Sequence, residues 1–117
     1  MLVPDNIKVF IATIPTDMRK SFEGLTAIVH NQFKRDVYES ALYVFFNKRR
    51  DMIKILWYER TTTYSGFSIL MRRLDNGTYS SVKTGGEGPA EATLAELALI
   101  LESINSRKNH KTERKLL

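Results

Sequence analysis

Short apolar runs alternate with polar breaks along this chain, and the spacing of the apolar positions changes between a strand period and a helix period. Lys8 to Ile14 (KVFIATI) is a β-rich run ending at Pro15, and it predicts a first strand. Thr16 and Asp17 can then accept bonds from free amide groups at a helix start. From there Phe22, Leu25, Val29 and Phe33 recur at spacings of three, four and four, which predicts an amphipathic helix of about four turns. Gly24 inside it costs helix propensity about 1 kcal/mol relative to alanine, so a close approach of the helix to a sheet is expected there.

Leu42 to Phe46 (LYVFF) and Met52 to Tyr58 (MIKILWY) flank Asn47 to Asp51 (NKRRD), the pattern of a hairpin with a charged tip. In the second run Ile53, Ile55 and Trp57 share one face, while Met52, Lys54, Leu56 and Tyr58 share the other. Gly66 to Arg73 (GFSILMRR) is a third run with Phe67, Ile69 and Met71 on one side. Asp75, Asn76 and Gly77 form a turn before a further strand over Thr78 to Val82. After the break at Thr84 to Pro89 (TGGEGP), Leu94, Leu97, Leu101 and Ile104 mark the stripe of a second amphipathic helix, with Glu91, Glu96 and Glu102 off it. The order β-α-β-β-β-β-α predicts an α+β fold: a mainly antiparallel sheet of about five strands with both helices on one face.

Composition narrows this picture. The 117 residues suit one domain, expected over 1–104 and followed by a basic, flexible tail over 105–117. The net charge of +5 is concentrated in that tail, where Arg107, Lys108, Lys111, Arg114 and Lys115 face Glu113 alone; residues 1–104 carry 13 basic and 12 acidic side chains. The tail is read as a solubilising terminus that can add non-specific phosphate attraction. With no cysteine there is no disulfide, no thiolate nucleophile and no sulfur-ligated zinc. No run of 18 apolar residues and no basic, apolar leader stands in the sequence, so a soluble cytoplasmic protein without membrane association is expected.

Several of these residues resemble a known family. Pro15-Thr16-Asp17-Met18-Arg19-Lys20-Ser21-Phe22 followed by Gly24-Leu25 is a specific string. With it stand Leu42 to Phe46, Asn47-Lys48-Arg49-Arg50, Lys54-Ile55-Leu56-Trp57, Gly66-Phe67, Arg72-Arg73-Leu74, and Gly77 with Tyr79. Over Lys8 to Ile104 the chain is similar to the second-open-reading-frame proteins of insertion sequences of the 66 type. These are labelled TnpB-like, a label shared with an unrelated RNA-guided nuclease. The chain departs from the family at Glu23, where Asp is common, at Glu59 to Ser65 in place of an acidic glycine-containing turn, and at Ser80-Ser81 in place of Trp-Pro. The resemblance implies an accessory factor for DNA transposition, encoded beside a larger transposase; the residues themselves lead to a non-catalytic reading of it.

Two groups of cations are candidate contacts for DNA. Arg19 and Lys20, expected in the first helical turn, can hold a phosphate with the free amide groups, or be neutralised by Asp17 and Glu23 while Arg19 braces the loop. Lys48, Arg49 and Arg50 at the hairpin tip, joined by Lys54, Arg72 and Arg73 along the sheet, can line a nucleic-acid face with Tyr43, Phe45 or Tyr58 for stacking, or be solvated edge charges. The expected partners are transposon-end DNA and the transposase of the same element. The alternative is a pure protein-interaction subunit docking through exposed aromatics and the acidic face of the last helix. A nuclease is a third reading, resting on Asp17, Asp51 and Asp75, which lie at a helix start and two turns. His30 and His110 have no partner at metal-ligand spacing, Thr84 to Gly88 lacks the lysine of a phosphate loop, and Ser21 and Ser65 have no evident base, so no catalytic residue, metal or cofactor is expected.

Overall fold

A computed structural model of the chain describes residues 3–80 and 88–106. It is α+β, with two helices and a five-stranded, mostly antiparallel sheet. The strand order is β4-β3-β2-β1-β6, with β1 Lys8–Ile11, β2 Ala41–Phe46, β3 Met52–Arg60, β4 Ser65–Arg73 and β6 Ala90–Ala92. A separate two-stranded ribbon joins β5 Thr78–Tyr79 to β7 Ile104–Asn105. Helix α1 spans Phe22–Asn31 and α2 spans Leu94–Glu102. Among the described residues no helix is long and apolar enough to cross a membrane.

β1 and β2 run parallel, Val9 beside Leu42 and Ile11 beside Val44, so the chain must cross over between them, and α1 belongs to that crossover. β2, β3 and β4 then form the expected antiparallel meander. All six residues of β2 are buried, as befits a central strand covered on both faces.

The expectation that both helices share one face is corrected by the packing. Phe10, Tyr43, Phe45 and Leu56 point to the side where Leu25, Ile28, Val29 and Phe33 of the α1 region pack. Val9, Ile11, Val44, Phe46, Ile53 and Ile55 point to the other, where Leu97 packs with half-buried Leu94, Leu101 and Ile104. A strand that is apolar at every position has two apolar faces, and one helix layer leaves the second in water.

Two further differences concern the last strands. Thr78 leaves the meander and pairs with Asn105, so the ribbon, not the sheet, receives it; Ser81 and Val82 of the expected strand lie outside the described residues, as does the tail from Arg107. The sheet is instead completed by β6 on the free side of β1, Phe10 opposite Glu91. Gly77, at φ 82°, permits the ribbon: a Cβ there would lie 2.7 Å from the Asn105 carbonyl oxygen.

Candidate nucleic-acid interface

The specific string, Pro15 to Leu25, and the basic hairpin tip, Asn47 to Asp51, are distant in sequence and meet at one end of the sheet. The Thr16 N–H donates to the Phe46 carbonyl at 2.8 Å, which seats the loop after β1 on the end of β2. Thr16 is buried there. The expected helix start is therefore displaced: α1 begins after Ser21, and Arg19 and Lys20 lie in a turn before it. Asp17 closes that turn, accepting from the Arg19 backbone N–H at 2.9 Å and from the Arg19 guanidinium at 2.7 and 3.0 Å. Arg19 holds the Asp17 carboxyl well below the usual carboxylate range. Phe22, read as a packing residue, is 43% exposed, because the later start turns it away from the sheet.

Lys20 is exposed, and its aliphatic stem lies over Gly24, where an added Cβ would meet the Lys20 Cβ and Cγ at 3.0 Å. That contact, within the helix start, replaces the expected approach of Gly24 to the sheet. The Lys20 carbonyl accepts from Lys54 Nζ at 2.6 Å, and Lys54 is only 8% exposed. Lys54 therefore sits beneath α1 as a tie between β3 and the loop, outside the surface set in which the sequence placed it.

The tip is organised by Asn47, which sequence reading passed over. Its Oδ1 accepts from the Asp51 and Met52 N–H groups at 3.1 and 3.0 Å, and its Nδ2 donates to Asp51 Oδ1 at 2.6 Å. The signal was available, since asparagine at a turn start commonly bonds backbone amides beyond it. Arg50 takes a left-handed φ of 60°. Its Nε donates to the Tyr79 carbonyl at 3.1 Å, its terminal nitrogen donates to the Ser80 carbonyl, and its guanidinium stacks on Phe46, 4.1 Å from the ring centre. Burial pulls its pKa down from the usual arginine value. Like Lys54, Arg50 is engaged internally.

What remains at the surface is Lys48, Arg49, Arg72, Arg73 and Lys20, all exposed, with Arg19 paired to Asp17. Among the described residues none of these five is in an ion pair. Asp51 stays low in pKa through its Asn47 bond, with Arg49 and Arg73 adding to the effect, so both cations lie within electrostatic reach of it. Arg49 stands between two shallow depressions, one lined by Pro15 to Met18, Lys48 and Met52, the other by Asp51 and Leu74 to Thr78. Arg73 lies opposite Met52 and Arg72 opposite Ile53, so these neighbours project to opposite faces of the sheet. Of the aromatics proposed for stacking, Tyr43 and Phe45 are fully buried, and Tyr58 is half-buried at the far end of β3 with Tyr38 and Phe67. No aromatic side chain of those three reaches the basic end. Among the described residues no group of three His, Cys, Asp or Glu side chains is placed to hold a metal ion.

This architecture coincides with a sequence pattern already defined. The chain belongs to the IS66 Orf2-like family, whose pattern matches residues 7–111, and it is therefore a transposition-associated protein. It is 32% identical over 110 residues to the uncharacterized protein y4hO of Sinorhizobium fredii strain NGR234, covering 93% of this chain and 90% of that one. It is 27% identical over 73 residues to the uncharacterized protein y4jC of the same organism, covering 62% and 59%. No solved structure matches it.

Proposed function

We propose that the chain is a non-catalytic accessory protein of transposition that contacts DNA through the basic end of its sheet. The observation that supports this reading best is the division of labour among the cations. Arg50 and Lys54 are consumed in building the tip and its loop, and the structure they build presents Lys48, Arg49, Arg72, Arg73 and Lys20 to solvent, with no ion-pair partner among the described residues. Exposed cations on a fixed support suit phosphate contacts, which position a protein on nucleic acid without reading its sequence. Their placement on both faces of the sheet end suits a strand crossing the tip.

The test is fluorescence anisotropy with a labelled duplex carrying the element's terminal sequence, and an unrelated duplex as control, titrated over salt. Binding should weaken steeply with salt. Lys48→Glu with Arg49→Glu should lower affinity about tenfold or more and reduce the salt slope by about two, with the melting temperature unchanged. Wild-type chain that binds neither duplex nor single strand at low salt overturns direct contact.

A second reading, docking to the transposase, draws on α2. Leu99 is 65% exposed on the face that carries Glu96 and Glu102. Co-purification with the transposase after nuclease treatment, lost in Leu99→Lys, would favour it over the DNA reading.

A further inference from the structure

We propose that the chain forms a two-fold dimer by pairing the free edge of β4 with β4 of a second copy. This inference does not rest on the DNA reading: it is argued from the edge of β4, shares Arg72 and Arg73 with the proposed DNA surface, and makes no use of Lys20, Lys48 or Arg49. Among the described residues β4 is the outermost strand, and its nine residues are all matched to β3 in unbroken register from Met52 opposite Arg73 to Arg60 opposite Ser65. No bulge or proline interrupts it, and Gly66 to Met71 carries no charge. Natural sheets usually protect such an edge with charges, prolines, bulges or brevity. The opposite edge strand, β6, shows the contrast with only three residues.

The backbone bonds say which groups of β4 are free. The Leu74 N–H donates to the Asp51 carbonyl and the Thr61 N–H to the Tyr64 carbonyl, so even-numbered residues of β4 exchange bonds with β3. By the alternation of an antiparallel ladder, Ser65, Phe67, Ile69, Met71 and Arg73 turn their N–H and C=O outward. A two-fold axis through Ile69 pairs every one of them, Ser65 with Arg73, Phe67 with Met71, and Ile69 with itself. Other centres leave part of the edge unpaired.

Side chains fit the same register. Met71, 49% exposed, would lie across from Phe67 of the second copy, and Leu70, 46% exposed, across from Ser68 with Trp57 behind it. Arg72 would face Gly66 of the second copy, which has no side chain, and the next residue in that row is Glu59 on the same sheet face. The guanidinium can therefore reach over the glycine to a carboxylate whose present partner is the Tyr64 hydroxyl at 3.1 Å. Antiparallel pairing also carries the two Arg72-Arg73 pairs to opposite ends, where a parallel arrangement would set them side by side.

Sedimentation of the full chain over a range of concentrations tests the proposal. A species of twice the 13.5 kDa chain mass should grow with concentration. Met71→Pro removes one outward donor and no bond to β3, so it should leave the far-ultraviolet spectrum unchanged and yield a monomer. Met71→Lys serves the same purpose should proline disturb the strand. Arg72→Glu and Glu59→Arg should each weaken association roughly tenfold and restore it when combined. The chain has no cysteine, so single cysteines report register: Ile69→Cys should join to itself through a short cross-linker, and Ser65→Cys, on the order of 27 Å from its counterpart, should not. A wild-type chain that stays monomeric at its highest soluble concentration overturns the proposal. So does a dimer that both Met71 variants leave intact, or one cross-linked at residue 65 instead of 69.

Discussion

The two turns that bound β3 are built by the same device in different surroundings. At one end Asn47 Oδ1 accepts from two backbone N–H groups, of Asp51 and Met52; at the other, Thr61 Oγ1 accepts from two, of Thr63 and Tyr64, at 3.2 and 3.1 Å. The Asn47 turn is half-buried and bonded outward to the rest of the chain, through Arg50 to Tyr79 and Ser80 and through the Leu74 N–H to Asp51. The Thr61 turn is exposed from Arg60 to Ser65, and its bonds stay within Glu59 to Tyr64. A turn held only by itself can change sequence at little cost to the fold. A turn bonded both to Leu74 and to Tyr79 and Ser80 cannot.

The comparison is most exposed to failure at Gly77, which lies just beyond the basic turn. Gly77→Ala forces a non-glycine residue to φ 82° and drives its Cβ to 2.7 Å from the Asn105 carbonyl, so the ribbon of β5 and β7 must shift. The expected loss is about 3 kcal/mol or more, a fall in melting temperature of order 15 °C. A denaturant melt showing less than 1 kcal/mol, roughly the error of such an extrapolation, would mean the ribbon is not a fixed part of the basic end.

Asn47→Ala and Arg50→Ala come next. Removing Asn47 leaves two half-buried amide groups without an acceptor, and removing Arg50 leaves two carbonyls unpaired and the Phe46 ring uncovered. Each should cost about 2 kcal/mol by equilibrium unfolding. Because each acts through the support of Lys48 and Arg49, salt-dependent DNA affinity should fall with it. Stability lost with binding retained would separate the turn from the proposed interface.

How much of this the residues announced depends on whether each signal is local. Strand faces in β3, the meander, the basic tip and the second helix follow from local period and were legible. The capping box of α2 went unread, although Thr93 and Glu96 stand at the required spacing and satisfy one another's backbone N–H groups at 2.8 and 3.1 Å. β6 was not legible: Ala90-Glu91-Ala92 has no β-branched or aromatic residue and is a strand because β1 offers it an edge. The burial of Lys54 and Arg50 is likewise a tertiary fact, for a cation in a strand or tip looks the same whether it meets water or a carbonyl. The placement of α2 could have been read from LYVFF, whose unbroken apolar run demands cover on two faces.

A smaller effect is expected from acid. Arg35 bonds Glu39 at 2.8 Å, and the buried Tyr43 hydroxyl donates to the same carboxylate at 3.1 Å, so Arg35 holds the Glu39 carboxyl below its ordinary value near 4.5. A depressed folded value means this stabilisation is complete above pH 4.5 and is lost as pH falls through the folded pKa. Glu39→Gln should cost about 1 kcal/mol at neutral pH and flatten the acid side of the stability profile. An unchanged acid limb would show that Asp17, Asp51 and other carboxylates at the basic end, not this site, set the acid sensitivity.

The smallest effect is predicted for Thr61→Ala, and it bears most directly on the comparison between the turns. Like Asn47→Ala, the change deletes one side-chain oxygen that accepts from two backbone amides, so a view that counts hydrogen bonds alone expects equal costs. Here the amides are exposed, however, and water replaces the hydroxyl. The loss should stay within about 0.5 kcal/mol, and DNA affinity should not move. The ratio of the two costs then measures what burial and outward bonding add to a side-chain oxygen that accepts from two backbone amides. Equal costs would place the difference between the two ends in local turn chemistry, and with it the reason for calling the basic end a built support.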